Sequence, residues 1–192
     1  MTGLPAEGVR SSEVIERIVL TGFMGSGKTT IGRQLAARLD WRFVDLDTAI
    51  EQRDGRTVAA IFAESGEPYF RQSESAELAA SLKESQLVLA LGGGALETPA
   101  NRQTLACAEK TRIVLLSASF DTLYERCRQQ IDSNKNSDLP VRPLLGDRDA
   151  AAARLARRDA TYRQTAHLIL DTTGQHPEQS VDALLELLRG TF

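Results

Sequence analysis

Ile18-Val19-Leu20-Thr21, then Gly22-Phe23-Met24-Gly25-Ser26-Gly27-Lys28-Thr29, then the pattern from Thr30 to Leu39, decide how this chain is read. A short apolar run leads into a GxxxxGK[ST] segment, and a helical repeat of Ile31, Leu35 and Leu39 follows at a spacing of four. The glycines allow a turn in which successive backbone N–H groups face inward as an anion nest, and the helix amino terminus adds the positive end of its dipole. Lys28 can reach the β- and γ-phosphates of a nucleotide, and the Thr29 hydroxyl can ligate magnesium. The segment predicts a phosphate-binding loop between a strand and a helix.

Outward from the loop, four further apolar runs stand between helical patterns: Phe43 to Val44, Leu87 to Leu91, Ile113 to Leu116 and Leu168 to Leu170. They do not alternate with polar residues, as expected of strands covered by helices on both faces. Leu123 and Cys127 continue a spacing of four after Asp121, and Val181, Leu184, Leu185 and Leu188 line one face of a closing helix. Alternating strand and helix predict an α/β fold with a five-stranded parallel sheet. Residues 1–15 read as a flexible tail and 16–192 as a single domain. Within it, residues of about 45–83 form a mostly helical insertion, and the polar stretch of about 132–149 reads as a mobile lid.

Bulk properties narrow the classes of function. The chain has 192 residues and a formal net charge of -3, so no basic field gathers nucleic acid or an anionic membrane. No targeting pattern and no apolar stretch of membrane-spanning length is present, which predicts a cytoplasmic protein. Cys107 and Cys127 lack the spacing of a zinc site and read as buried or half-buried thiols in a reducing compartment.

A GTPase would need a DxxG followed by an NKxD. Here Asn134-Lys135-Asn136-Ser137 has Ser in place of Asp, and Asp171-Thr172-Thr173-Gly174 comes after it, so both read as turns. Phe43-Val44-Asp45-Leu46-Asp47 puts two carboxylates at the carboxyl end of the second run, where open α/β sheets bind ligands. Alternation points both the same way if the strand extends that far. One carboxylate can then serve magnesium and the other a substrate hydroxyl, or the pair can be a helix cap beside a solvated residue, with the helix starting at about Thr48. Gly92-Gly93-Gly94 ends the third run and removes side chains where backbone must come close to something.

Gly22 to Thr30, Phe43-Val44-Asp45-Leu46-Asp47, Phe70-Arg71, Gly92-Gly93-Gly94, Arg142-Pro143-Leu144-Leu145 and Arg158-Asp159-Ala160-Thr161-Tyr162 occur in the order found in shikimate kinases, which the chain resembles over roughly residues 16 to 190. The resemblance implies a P-loop three-layer sandwich and transfer of the ATP γ-phosphoryl group to the 3-hydroxyl of shikimate, in aromatic amino-acid biosynthesis, with Mg2+ as cofactor. By the same resemblance Lys28, Asp47 and Arg142 are catalytic, Asp47 binding the shikimate hydroxyls and orienting or deprotonating the attacking one. ATP is held by Gly25, Ser26, Gly27, Lys28, Thr29, Thr30, Arg126, Arg142 and Gln175, and magnesium by Thr29 and Asp45. Arg71 and Arg158 hold the shikimate carboxylate, and Gly93 with Gly94 offers it backbone N–H.

Gln175 stands where some members of the family carry Arg, and the stretch between Arg126 and Arg142 is longer and more polar than the family's short connection. Arg33, Arg38, Arg157 and Arg163 are assigned to solvated helix faces. Kinase-like domains of this family also occur as ligand sensors attached to DNA-binding regulators, and the short tail before Ile18 argues against that reading. A monomer acting on ATP and shikimate is the expectation.

Overall fold

The computed structural model describes residues 14–133 and 147–189. Among them five parallel strands form one sheet: β1 (Arg17–Thr21), β2 (Arg42–Asp45), β3 (Leu87–Ala90), β4 (Thr111–Ser117) and β5 (Leu168–Asp171), in the order β2-β3-β1-β4-β5. The central strands are apolar through Ile18 to Leu20, Leu87 to Ala90 and Ile113 to Leu116 because both of their faces are covered. Ile18, Leu20, Val88, Val114 and Leu116 pack to one side, against Ile31 and Leu35 of α1 (Lys28–Leu39) and Val181, Leu184 and Leu188 of α8 (Pro177–Arg189). Val19, Leu87, Leu89, Ile113 and Leu115 pack to the other, with Leu46, Ile50, Ile61, Phe70, Leu78, Leu105, Leu123 and Tyr162. The result is three layers, and each fully buried Leu or Ile contributes about 1.5–3 kcal/mol.

The second layer comes from α2 (Leu46–Asp54), α3 (Val58–Glu64), α4 (Gly66–Ser81), a 3-10 turn (Ala95–Glu97), α5 (Pro99–Ala106), α6 (Phe120–Ser133) and α7 (Arg148–Thr165). The first three are the insertion read at about residues 45–83. Gly55 closes α2 with φ of 80°, and Thr57 caps α3 through Ala60 N. Leu20 pairs with Ala90, and Ala90 with Asp45, so the segments leaving β1, β2 and β3 emerge side by side on one edge.

Several boundaries differ from the sequence reading. Ile15, assigned to the tail, is buried, and Glu16 N donates to Lys110 O, because β1 needs an apolar residue beneath its start. Helix α1 begins at Lys28 rather than Thr30, and α2 at Leu46 rather than Thr48. Arg148 and Asp149, read as lid, open α7, where the Asp147 side chain accepts from Ala150 N. The rest of that lid from 134 to 146, with Arg142, lies outside the described residues. Cys127 is buried as expected, whereas Cys107 is exposed at the end of α5.

Candidate active site

The loop after β1 has the form its glycines predict. Gly27 caps α1 with φ of 92°, and no side chain caps the first turn, so its N–H groups stay open to an anion. Gly25 has φ of 76°, and a methyl group there would lie 2.4 Å from Leu123 O and 2.8 Å from Cys127 Sγ, so α6 packs directly beneath the loop. Lys28 Nζ donates to Gly22 O at 2.8 Å and Phe23 O at 3.0 Å, which holds its charge over the loop mouth. Thr29 and Thr30 are exposed, but Ser26 is fully buried and serves the loop from inside.

Beside the loop lies a cleft of about 340 Å³ lined by Gly25, Gly27, Thr30, Ile31, Arg126, Gln129, Gln130, Gln175, Pro177 and Ser180. Arg126 fixes its wall, donating to Thr172 Oγ1 at 3.0 Å, Thr172 O at 2.7 Å and Gln175 O at 3.2 Å. The turn at Asp171 to Gly174 is local chemistry, as its composition predicts: Thr173 N donates to Asp171 Oδ1, and Gly174 has φ of 70°. Gln129, Gln130 and Ser180 escaped the sequence reading. The first two lie one helical turn after Arg126 and were legible from that spacing.

The two carboxylates divide their work at the end of β2. Strand pairing stops at Asp45, which caps α2 and accepts a bond from Thr29 Oγ1 at 2.7 Å. The strand does not extend to Asp47, which sits in the first turn of α2, so strand alternation does not apply and helix geometry aims its side chain. Its Oδ1 would lie 2.6 Å from a methyl group built on Gly92, with Glu74 Oε1 3.3 Å from the same point.

Gly92 to Gly94 is the floor on which the second half of the site converges. A methyl group on Gly94 would meet Arg71 Nη2 at 2.7 Å and Arg158 Nη2 at 3.3 Å, so two guanidinium edges face the same point. One on Gly93 would lie 3.7 Å from Arg158 Nη1 and 4.0 Å from Gly22 O, which puts this floor next to the phosphate loop. Two guanidinium forks converging over backbone are chemically suited to a carboxylate.

Each arginine is held by acids that the sequence reading passed over. Arg71 donates to Glu67 and, at 2.9 Å, to Glu74 Oε2. Glu74 is almost fully buried, and burial pushes its carboxyl up although Arg71 pulls it down; its Oε1 has no hydrogen-bond partner among the described residues. Arg158 donates to Glu97 Oε2 and Arg157 to Glu97 Oε1. Burial works to raise the Glu97 carboxyl, but Arg158 and then Arg157 hold it below the usual range. Tyr162 donates to Gly93 O, and burial pushes its hydroxyl up to about 12, so it stays a proton donor at neutral pH. Glu67 and Glu74 flank Arg71, and Tyr162 follows Arg158, at helical spacings legible in the sequence; Glu97 meets the site only through tertiary packing.

The shikimate kinase family model matches residues 24–189. A shikimate kinase of Geobacter metallireducens is 37% identical over 92% of this chain and 93% of its own, and one of Mycobacterium avium is 38% identical over 91% and 94%. The solved structure of the Acinetobacter baumannii shikimate kinase, in complex with shikimate, superposes with a TM-score of 0.81 at 33% identity, covering 93% of this chain and 95% of that one. A family model that spans residues 24–189, and relatives that match nearly end to end, place this chain in the shikimate kinase family, whose members are ATP-dependent kinases.

Proposed function

We propose that this protein transfers the γ-phosphoryl group of ATP to the 3-hydroxyl of shikimate, with the site residues acting as follows. The observation that carries the reading is the position of Gly93, where an added methyl group would lie 3.7 Å from Arg158 Nη1 and 4.0 Å from Gly22 O of the phosphate loop. That adjacency lets one hydroxylated carboxylic acid lie on the arginines with a hydroxyl turned toward the nucleotide. Arg71 and Arg158 bind its carboxylate, and the Gly93 and Gly94 backbone N–H groups support it. Asp47 holds the acceptor hydroxyl and takes its proton, while the Lys28 ammonium and the N–H groups of the loop stabilise charge on the transferring group. Arg142 of the lid, outside the described residues, adds its charge to the same phosphates.

ATP lies with its phosphates on Gly25 to Thr30 and its base in the cleft walled by Arg126 and Gln175. Ser26 is buried and its backbone N–H donates to Phe23 O at 3.2 Å, so it shapes the loop that holds the phosphates. Thr29 and Asp45 offer hydroxyl and carboxylate oxygens 2.7 Å apart, hard donors of the kind Mg2+ takes. Among the described residues no group of three or more His, Cys, Asp or Glu could hold a metal ion. Bound there, Mg2+ would neutralise phosphate charge.

No helix among the described residues is long and apolar enough to cross a membrane, and a monomeric cytoplasmic enzyme is the form proposed. The test is ADP release in a coupled assay with shikimate and with gluconate as acceptors. Turnover of shikimate and none of gluconate is expected; the reverse would overturn the reading. Shikimate binding without ADP release would instead favour a ligand sensor.

A further inference from the structure

Glu97 stands at the end of the 3-10 turn that the glycine triplet itself begins, with Glu97 N donating to Gly94 O at 2.9 Å. Side chains of α5 brace that turn: Asn101 Nδ2 donates to Ala95 O at 2.9 Å, and Arg102 Nη1 to Leu96 O and Glu97 O. Glu97 is thus a fixed peg beside the carboxylate floor. Two consecutive residues of α7 reach it. Neighbours on a helix point about 100° apart, yet Arg157 and Arg158 bind the two oxygens of one carboxylate, one each.

The two arginines differ in setting. The Arg158 side chain is 13% exposed, its Nε is buried without a partner among the described residues, and its Nη2 is the atom that faces the Gly94 floor. Arg157 is 67% exposed, so its ion pair contributes little to stability. Its effect is on charge. A carboxylate paired with Arg158 alone would cancel the charge that must attract the substrate's carboxylate. Shared between two guanidiniums, the same carboxylate leaves the cluster at net +1 and still fixes the direction of Arg158.

We propose that Glu97, with Arg157 as its counter-ion, is the positioning residue that sets Arg158 for the substrate carboxylate. This rests on the proposal that shikimate is the acceptor. Steady-state kinetics of the full-length chain test it, varying shikimate and ATP separately in wild type, Glu97→Ala, Glu97→Gln, Arg157→Ala and the double variant Glu97→Ala with Arg157→Ala. Glu97→Ala is expected to raise KM for shikimate roughly tenfold, with kcat and KM for ATP within about twofold, the signature of lost substrate binding rather than lost fold.

Glu97→Gln, which keeps an acceptor of the same shape, should restore part of that loss and gives the reading if the alanine variant does not fold. Arg157→Ala should raise KM for shikimate roughly threefold in the wild-type background and not at all in the Glu97→Ala background, because it acts through Glu97. An unchanged or lowered KM for shikimate in both Glu97 variants overturns the proposal, and so does an Arg157 effect that persists without Glu97. Wild-type protein that releases no ADP with shikimate refutes the acceptor; wild-type turnover with an unmoved KM in the Glu97 variants refutes only the role of Glu97.

Discussion

The Asp47 carboxylate rests against the backbone of Gly92, closely enough that a methyl group there would stand 2.6 Å from Oδ1. Gly92 is not among the residues with positive φ, so its lack of a side chain serves space rather than backbone conformation. The three nearest neighbours of an added methyl group are all side-chain atoms, of Asp47 and Glu74. Gly92→Ala should therefore fold normally and displace Asp47. Turnover with shikimate should fall roughly a hundredfold while ATP affinity stays put, since small misplacements of a reacting group are costly. Normal turnover in this variant, or in Asp47→Asn, would remove Asp47 from the chemistry.

Arg71 is the second position where geometry sets a clear expectation. Its Nη1 is bound to buried Glu74 and its Nη2 faces the Gly94 floor, so it needs a planar fork with donors at fixed angles. Arg71→Lys keeps the charge but cannot serve both directions. KM for shikimate should rise roughly tenfold to a hundredfold, in line with the loss of a charge-assisted hydrogen bond. Substrate titration followed by ADP release decides it, and a KM near that of wild type would count against the two-arginine receptor.

How much of this was legible in the sequence follows the range of the interactions. The phosphate loop could be read residue by residue because its work is local: turn, nest and helix start are contiguous from Gly22 to Thr30. The strands could be read because burial on both faces leaves unbroken apolar runs such as Leu87 to Leu91. The aim of Asp47 could not, since β2 ends one residue after Val44 and a cap at Asp45 converts the next turn to helix. Glu97 was invisible for a different reason. Its partners lie on α7, about sixty positions on, and no local period links them.

His167 gives stability a dependence on pH. Its Nδ1 accepts from Ile113 N at 3.2 Å, and burial, followed by the nearby charge of Arg112, lowers its pKa below the usual 6.5. The unfolded chain then takes up a proton that the folded chain resists, so stability should fall as pH drops through 6.5 toward the lower folded value. Glu74, raised by burial, works the other way and loses stability as pH rises. Comparing wild type with His167→Asn, which keeps an acceptor but does not titrate, isolates the first effect. Denaturant midpoints between about pH 7.5 and 5.5 should converge as pH falls, because only wild type carries this penalty. Parallel curves would exclude it.

Asp45 carries two duties that separate by substitution. One carboxylate oxygen accepts from Thr29 Oγ1 and the other caps α2 by accepting from Thr48 N. Asp45→Asn keeps an acceptor for the cap but loses the charge that would serve Mg2+. Asp45→Ala loses both, and should lower stability by about 1 kcal/mol, the usual value of an N-cap. With ATP and shikimate fixed, magnesium titration of turnover should show both variants needing more Mg2+ than wild type, while thermal unfolding separates Ala from Asn. If the asparagine variant responds to Mg2+ as wild type does, Asp45 is a cap alone, and the proposed Mg2+ site draws only Thr29 from the two residues.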